Sequence, residues 1–121
     1  MLSNIPLSRD LVLIGGGHAH ALVLKKWRMK PLPGVRLTLI NPGATAPYTG
    51  MLPGYIAGHY DREALEIDLM SLTQFSDARL ILSPATGIDH KARLIHVQGR
   101  PPVAYDIASI DVGITAQMSI S

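Results

Sequence analysis

Three consecutive glycines, Gly15, Gly16 and Gly17, followed by His18 and His20, are the residues of this chain that point most directly to chemistry. A glycine run bares backbone N–H groups. A helix that starts just beyond it presents its positive end, and the two together draw phosphate. Gly15 and Gly17 fill the first two positions of G-x-G-x-x-G, the turn that lets a backbone approach a dinucleotide pyrophosphate. The third position is His20. A glycine there ordinarily lets the helix pack close to the sheet, so His20 predicts a local widening or a side chain turned aside. A simple tight turn is the plain alternative for the triplet.

His18 and His20 also form an H-x-H pair. On a helix, residues two apart point away from each other, and no further ligands stand nearby, so no metal site is expected. His18 reads as a neighbour of phosphate or as a surface or packing residue. His59, His90 and His96 lie in separate segments and read as structural or solvated.

These residues need a strand before them and a helix after them. Leu11 to Ile14 is a short apolar run that predicts a buried strand. From His18 to Met29, Ala19, Leu22, Val23 and Trp27 recur at helical spacing. Pro31-Leu32-Pro33-Gly34 breaks that helix, and Val35 to Ile40 predicts a second strand. Residues 11 to 40 thus form one βαβ unit, whose right-handed crossover makes the two strands parallel neighbours. Asn41 follows, about 20 positions beyond the motif, where an acid ordinarily takes a ribose hydroxyl. Asn can accept from a hydroxyl without charge, but Asn41-Pro42-Gly43 reads equally as a turn.

Residues 41 to 60 are dense in Pro, Gly and Tyr, too apolar for a solvated loop and too broken for a long helix. They predict a loop and short helix lining a core, a ligand or another domain. Tyr48, Tyr55 and Tyr60 fit a flavin face, though apolar packing with a satisfied hydroxyl is commoner. Glu63 to Asp68 reads as a helix or extended piece. Leu69 to Phe75 predicts a helix capped by Asp68 or Ser71. Arg79–Leu82 predicts a strand. Ala85–Asp89, Arg93–Val97 and Val103–Ala104, separated by turns, predict a small antiparallel meander. Tyr105 to Gly113 returns to a buried-strand pattern. Asp111 lies near its C-terminal end, where open α/β sheets bind ligands. It reads as a polar contact to a cofactor or, preferably, as a capping or turn residue.

The bulk properties narrow the function classes. At 121 residues with 47% hydrophobic composition, the chain suits one small domain with one core. No apolar run approaches the ~20 residues of a membrane span, and no secretory signal is visible. Cysteine is absent, which excludes disulfide exchange, a thiolate nucleophile and Cys-ligated metal. The formal charge is only +2. The basic cluster Lys25, Lys26, Arg28 and Lys30 offsets the dipole at a helix C-terminus. With one Trp, four Tyr and one Phe, no nucleic-acid partner is expected.

Three stretches resemble a known family. They are Leu13-Ile-Gly-Gly-Gly-His-Ala-His20, Tyr48-Thr-Gly-Met-Leu-Pro-Gly-Tyr-Ile-Ala-Gly-His-Tyr60, and Thr86-Gly-Ile-Asp89 with Tyr105-Asp-Ile through Asp111-Val-Gly113. The likeness covers roughly residues 10 to 116. It is to the N-terminal part of FAD-dependent pyridine nucleotide–disulfide oxidoreductase-like proteins, in the branch with type II NADH dehydrogenases and sulfide:quinone reductases. The middle stretch is similar to oxidoreductase segments fused to selenide, water dikinase.

The resemblance implies an α/β, Rossmann-like parallel sheet with helices and a small antiparallel meander. Residues 1–121 would form a single FAD-binding-type domain, the N-terminal fragment of a larger flavoprotein. By position, Gly15, Gly17, His18 and Ala19 would cradle the FAD pyrophosphate. Asn41 and Pro42 would lie by the adenosine ribose, and Ala85 would offer its backbone to the adenine. Thr49 to Pro53 would approach the flavin, and Gly113 would close the site. The departures are His20, Asn41, the absence of a second glycine fingerprint for NAD(P)H, and the missing late segment that holds the ribityl chain.

The implied function is FAD binding within a flavin-dependent NAD(P)H oxidoreductase, with this piece inactive alone. Its partners would be the rest of the parent flavoprotein or a second copy through residues 46–58, with a membrane quinone as acceptor. The implied location is cytoplasmic or peripheral at the inner membrane face. The alternative is a non-catalytic adenine-nucleotide-binding or partner-docking module on the same fold. A small NAD-linked dehydrogenase is disfavoured, because no catalytic residues are visible.

Overall fold

A computed structural model describes residues 9–47, 66–111 and 119–120. β1 (Arg9–Ile14) leads through the glycine turn into α1 (His18–Met29), which returns the chain to β2 (Val35–Asn41). β1 and β2 pair in parallel, Leu11 with Leu37 and Ile14 with Ile40. Proline has no N–H and disfavours helical backbone in the residue before it, so the helix stops at Lys30, just before Pro31.

Next come β3 (Thr45–Pro47), β4 (Glu66–Asp68), α2 (Leu69–Ser76) and β5 (Arg79–Leu82). Of the stretch 63–68 read as a helix or extended piece, Glu66–Asp68 is extended, and residues 63–65 lie outside the described residues. β3 was not expected from the sequence. It pairs antiparallel with β4, a partner distant along the chain that local composition cannot disclose. β6 (Ala85–Asp89), β7 (Leu94–Val97) and β8 (Val103–Ala104) form the expected antiparallel meander. β9 (Ile107–Ile110) pairs in parallel with the free side of β1. β10 (Ser119–Ile120) adds a parallel strand beside β6.

The main sheet has the order β5-β2-β1-β9, all parallel. Two apolar clusters cover its faces. Alternation along β1 sends Val12 and Ile14 to the meander side, with Ile40, Ile81, Ile88 and Ile95. Leu13 goes to the helix side, with Leu24, Leu37, Leu39 and Leu69. Each fully buried Leu contributes roughly 1.5–3 kcal/mol by leaving water. One expectation is corrected. The stretch from Tyr105 is not a buried strand: β9 is the edge of the described sheet, and Ile107 and Ile110 are exposed.

α2 starts at Asp68. Its Oδ1 accepts from the Ser71 N–H at 3.1 Å, and the Ser71 hydroxyl donates to Oδ2 at 2.9 Å. These bonds stabilise the charged form and hold the Asp68 carboxyl below its ordinary range. Because the folded value lies below the unfolded one, the cap contributes fully above the ordinary carboxylate range and is lost as pH falls through the lowered value. Asp68→Ala is therefore expected to melt several degrees lower than the wild-type chain at neutral pH. Thermal melts at descending pH should bring the two together below the carboxylate range.

Candidate functional site

The βα turn is built by bonds reaching in from β2 and from the end of β9. Gly15 takes φ 92°, a left-handed conformation that glycine adopts without penalty. Its N–H donates to the Ile40 carbonyl at 2.8 Å. The Gly16 N–H donates to Asn41 Oδ1 at 2.9 Å, and Asn41 Nδ2 donates to the Gly43 carbonyl at 2.7 Å. Asn41 thus spans the ends of β1 and β2 and ties the two turns together. Gly17 is the N-cap of α1, extended in backbone and without a side chain to cap the helix. The first turn of α1 holds no acidic residue.

The missing acid comes from Asp111, just past β9. Its N–H donates to the Ile14 carbonyl at 2.8 Å, which continues the β1–β9 pairing. Its Oδ2 accepts from the N–H groups of Ala19 at 3.1 Å and His20 at 3.3 Å. These are the amides that an N-cap side chain ordinarily satisfies. Asp111 is a capping residue, as preferred from the sequence, but for a helix 92 positions away. A Cβ on Gly17 would fall on that carboxylate, and a Cβ on Gly16 would lie 2.5 Å from Leu69 Cδ1. Both glycines thus leave room that the chain's own side chains, Asp111 and Leu69, occupy.

The His20 side chain turns inward, to the Gly15 carbonyl and β9. It is 2% exposed, with Nδ1 2.7 Å from the Gly15 carbonyl and Nε2 2.8 Å from Ser109 Oγ. A carbonyl only accepts, so Nδ1 carries the proton. In the neutral ring, Nε2 then accepts from the Ser109 hydroxyl. The imidazole links the turn to β9, doing by hydrogen bonding what the motif's glycine does by close packing.

The remaining expected site residues are more dispersed. His18 lines a groove of about 440 Å³ between α1 and α2, with Leu22, Lys25, Ser71 and Phe75. Pro42 is exposed beside Asn41. Ala85 begins β6 and packs against the cluster holding Ile14 and Ile40, the residues just before the turn and before Asn41. Thr49, Pro53, Gly113 and nearly all of segment 46–58 lie outside the described residues. Among the described residues, no group of three or more His, Asp or Glu is arranged to hold a metal. Ser109, Leu69 and the capping role of Asp111 at α1 were missed from the sequence. The available signal was a helix start with neither a cap side chain nor an acid in its first turn.

The site lies at the C-terminal ends of β1, β2 and β9. The chain leaves β1 for β2 on one side and takes β9 on the other, the strand-order reversal where open α/β sheets bind ligands. A second cleft, of about 520 Å³, gathers Trp27, Arg28, Arg36 and Arg79. Burial first, then Arg36 and Arg100, push the Arg79 guanidinium below its ordinary value, though it stays charged. These cations are already engaged. Arg36 pairs with Asp10 at 2.7 Å, Arg79 donates to Thr38 Oγ1 at 3.2 Å, and Arg28 lies 5.8 Å from the Phe75 ring centre.

No family model and no curated protein matches this chain. Solved structures do. The sulfide:quinone oxidoreductase of Aquifex aeolicus is similar at TM-score 0.68 and 24% identity, over 88% of this chain and 24% of that one. NDH2 of Plasmodium falciparum, solved with NADH, is similar at 0.67 and 15%, over 90% and 23%. An NAD-dependent persulfide reductase from A. fulgidus is similar at 0.64 and 21%, over 84% and 20%. The chain therefore spans a quarter or less of the length of these proteins. Its parallel sheet, helices and meander are the fold of the FAD-dependent pyridine nucleotide–disulfide oxidoreductases.

Proposed function

We propose that this chain is the FAD-binding, N-terminal part of a flavin-dependent NAD(P)H oxidoreductase, inactive by itself. One observation carries the reading: at the strand-order reversal, the Ala19 and His20 amides of α1 already grip an anionic group, the Asp111 carboxylate. A carboxylate oxygen is a stand-in for a phosphate oxygen, so the donors fit a pyrophosphate in type and direction. Gly15, Gly17, His18 and Ala19 would hold that pyrophosphate. Asn41 and Pro42 would lie by the ribose, Ala85 by the adenine, Thr49 and Pro53 by the flavin, and Gly113 at the closing end. The chemistry supplied by a bound flavin is acceptance of hydride and onward transfer of electrons. The chain's own task is to bind and orient.

The partners in this reading are the remainder of the parent flavoprotein or a second copy meeting segment 46–58. The acceptor is a membrane quinone, and the protein is cytoplasmic or peripheral at the inner membrane face. Among the described residues, no helix is long and apolar enough to cross a membrane.

The test is a titration of FAD, ADP and AMP into the chain, followed by the amide resonances of residues 15–20. Expected are saturable shifts of Ala19 and His20 with all three. Failure of all three, in the wild-type chain and in a chain lacking the Asp111 charge alike, would overturn the reading.

A further inference from the structure

We infer that Asp111 occupies the position a nucleotide diphosphate would take, so that phosphate-bearing ligands bind only as its carboxylate leaves. The inference rests on the dinucleotide-binding reading above and identifies the residue that limits it. The Asp111 carboxylate accepts from Ala19 at 3.1 Å and His20 at 3.3 Å. These are the second and third residues of α1, whose N–H groups have no acceptor within the helix. Gly17 offers no side chain to compete for them, and the space where its Cβ would stand is filled by the Asp111 carboxylate. The glycine that would admit a phosphate here admits an internal acid.

A diphosphate meeting the same amides would sit within a few ångströms of a carboxylate of like charge. It must displace that acid or suffer the repulsion. Displacement is sterically open. Asp111 is only partly buried and Ala19 is exposed, so the carboxylate can turn to water and leave the Ala19 N–H facing solvent. Asp111 also anchors the end of β9 to Ile14 through its own N–H, so its side chain can move while the strand stays paired. The outcome is a site with a built-in anion, whose affinity for phosphates is held down by one side chain.

The test compares the wild-type chain with Asp111→Asn and Asp111→Ser by calorimetric titration of FAD, ADP and inorganic pyrophosphate. Asn keeps an acceptor for the two amides and removes the charge. Ser is a second variant should Asn fold poorly, and melting temperatures without ligand report whether each chain is folded. Both variants are expected to bind all three probes about tenfold or more tightly than wild type, the effect of removing one like charge at close range. Their melting temperatures should rise further on ADP addition than that of wild type. A merely structural cap would lower the melting temperature and leave affinity unchanged or weaker. Measurable and equal affinity in all three chains overturns this inference and leaves the dinucleotide reading standing. No binding by any folded chain overturns both.

Discussion

His20→Ala is expected to lose about 2–4 kcal/mol of stability, the sum of a buried ring's lost packing and an orphaned acceptor. The imidazole is 2% exposed and bridges the Gly15 carbonyl to Ser109 Oγ. Its two partners differ in what they lose. Gly15 is buried, so its carbonyl would be left without water. Ser109 is exposed, so its hydroxyl finds water and its loss is small. His20→Gly makes the sharper comparison. It completes G-x-G-x-x-G, and if the motif alone governed this turn the change would be harmless. Here it removes the same bridge and adds about 1 kcal/mol of helix penalty. His20→Gly should therefore be the least stable of the three chains. Urea unfolding with an unchanged slope would check both values, and a His20→Gly chain as stable as wild type would sink the bridging role.

Gly16→Ala and Leu69→Ala are expected to be non-additive. Gly16 does not take the left-handed conformation, so its lack of a side chain is a matter of space. An added Cβ would lie 2.5 Å from Leu69 Cδ1 and 3.3 Å from Ala46 Cβ. Leu69 is 0% exposed and has little room to yield, so overpacking should cost about 1–3 kcal/mol. Part of that is offset by about 0.4–1 kcal/mol from the stiffer unfolded chain. Leu69→Ala alone leaves a cavity and should cost about 2–5 kcal/mol. Made together, the new methyl at residue 16 enters the space Leu69 vacates. The double variant should then be more stable than the two single losses predict, by about 1 kcal/mol or more. A double-mutant cycle by denaturant unfolding measures this, and additivity within a few tenths would show that Leu69 does not explain Gly16.

Both predictions turn on pairs that a linear reading did not join. The glycine run, the helix from His18 and the alternating strand from Val35 were legible because each depends on residues within a turn or two. The meander was legible because its turns lie between short apolar runs. Asn41 was visible as a polar residue at a strand end, with ribose contact and turn equally open. The structure adds a bond from it to the Gly16 N–H, 25 positions away. β3 escaped because a strand of three residues draws its stability from β4, some 20 positions further along the chain, not from its own composition.

The order of residues alone determined the elements: strand, glycine turn, helix, strand, and the apolar faces that stack them into layers. Periodicity and backbone stereochemistry act over a few residues, so they can be read one stretch at a time. Only the tertiary structure decided what fills the head of α1. Asp111 and Ser109 reach Ala19 and His20 because β9 closes onto the free edge of β1, some 90 positions later in the chain. A carboxylate at the end of one strand becomes the cap of a distant helix through that pairing, and no local spacing encodes it.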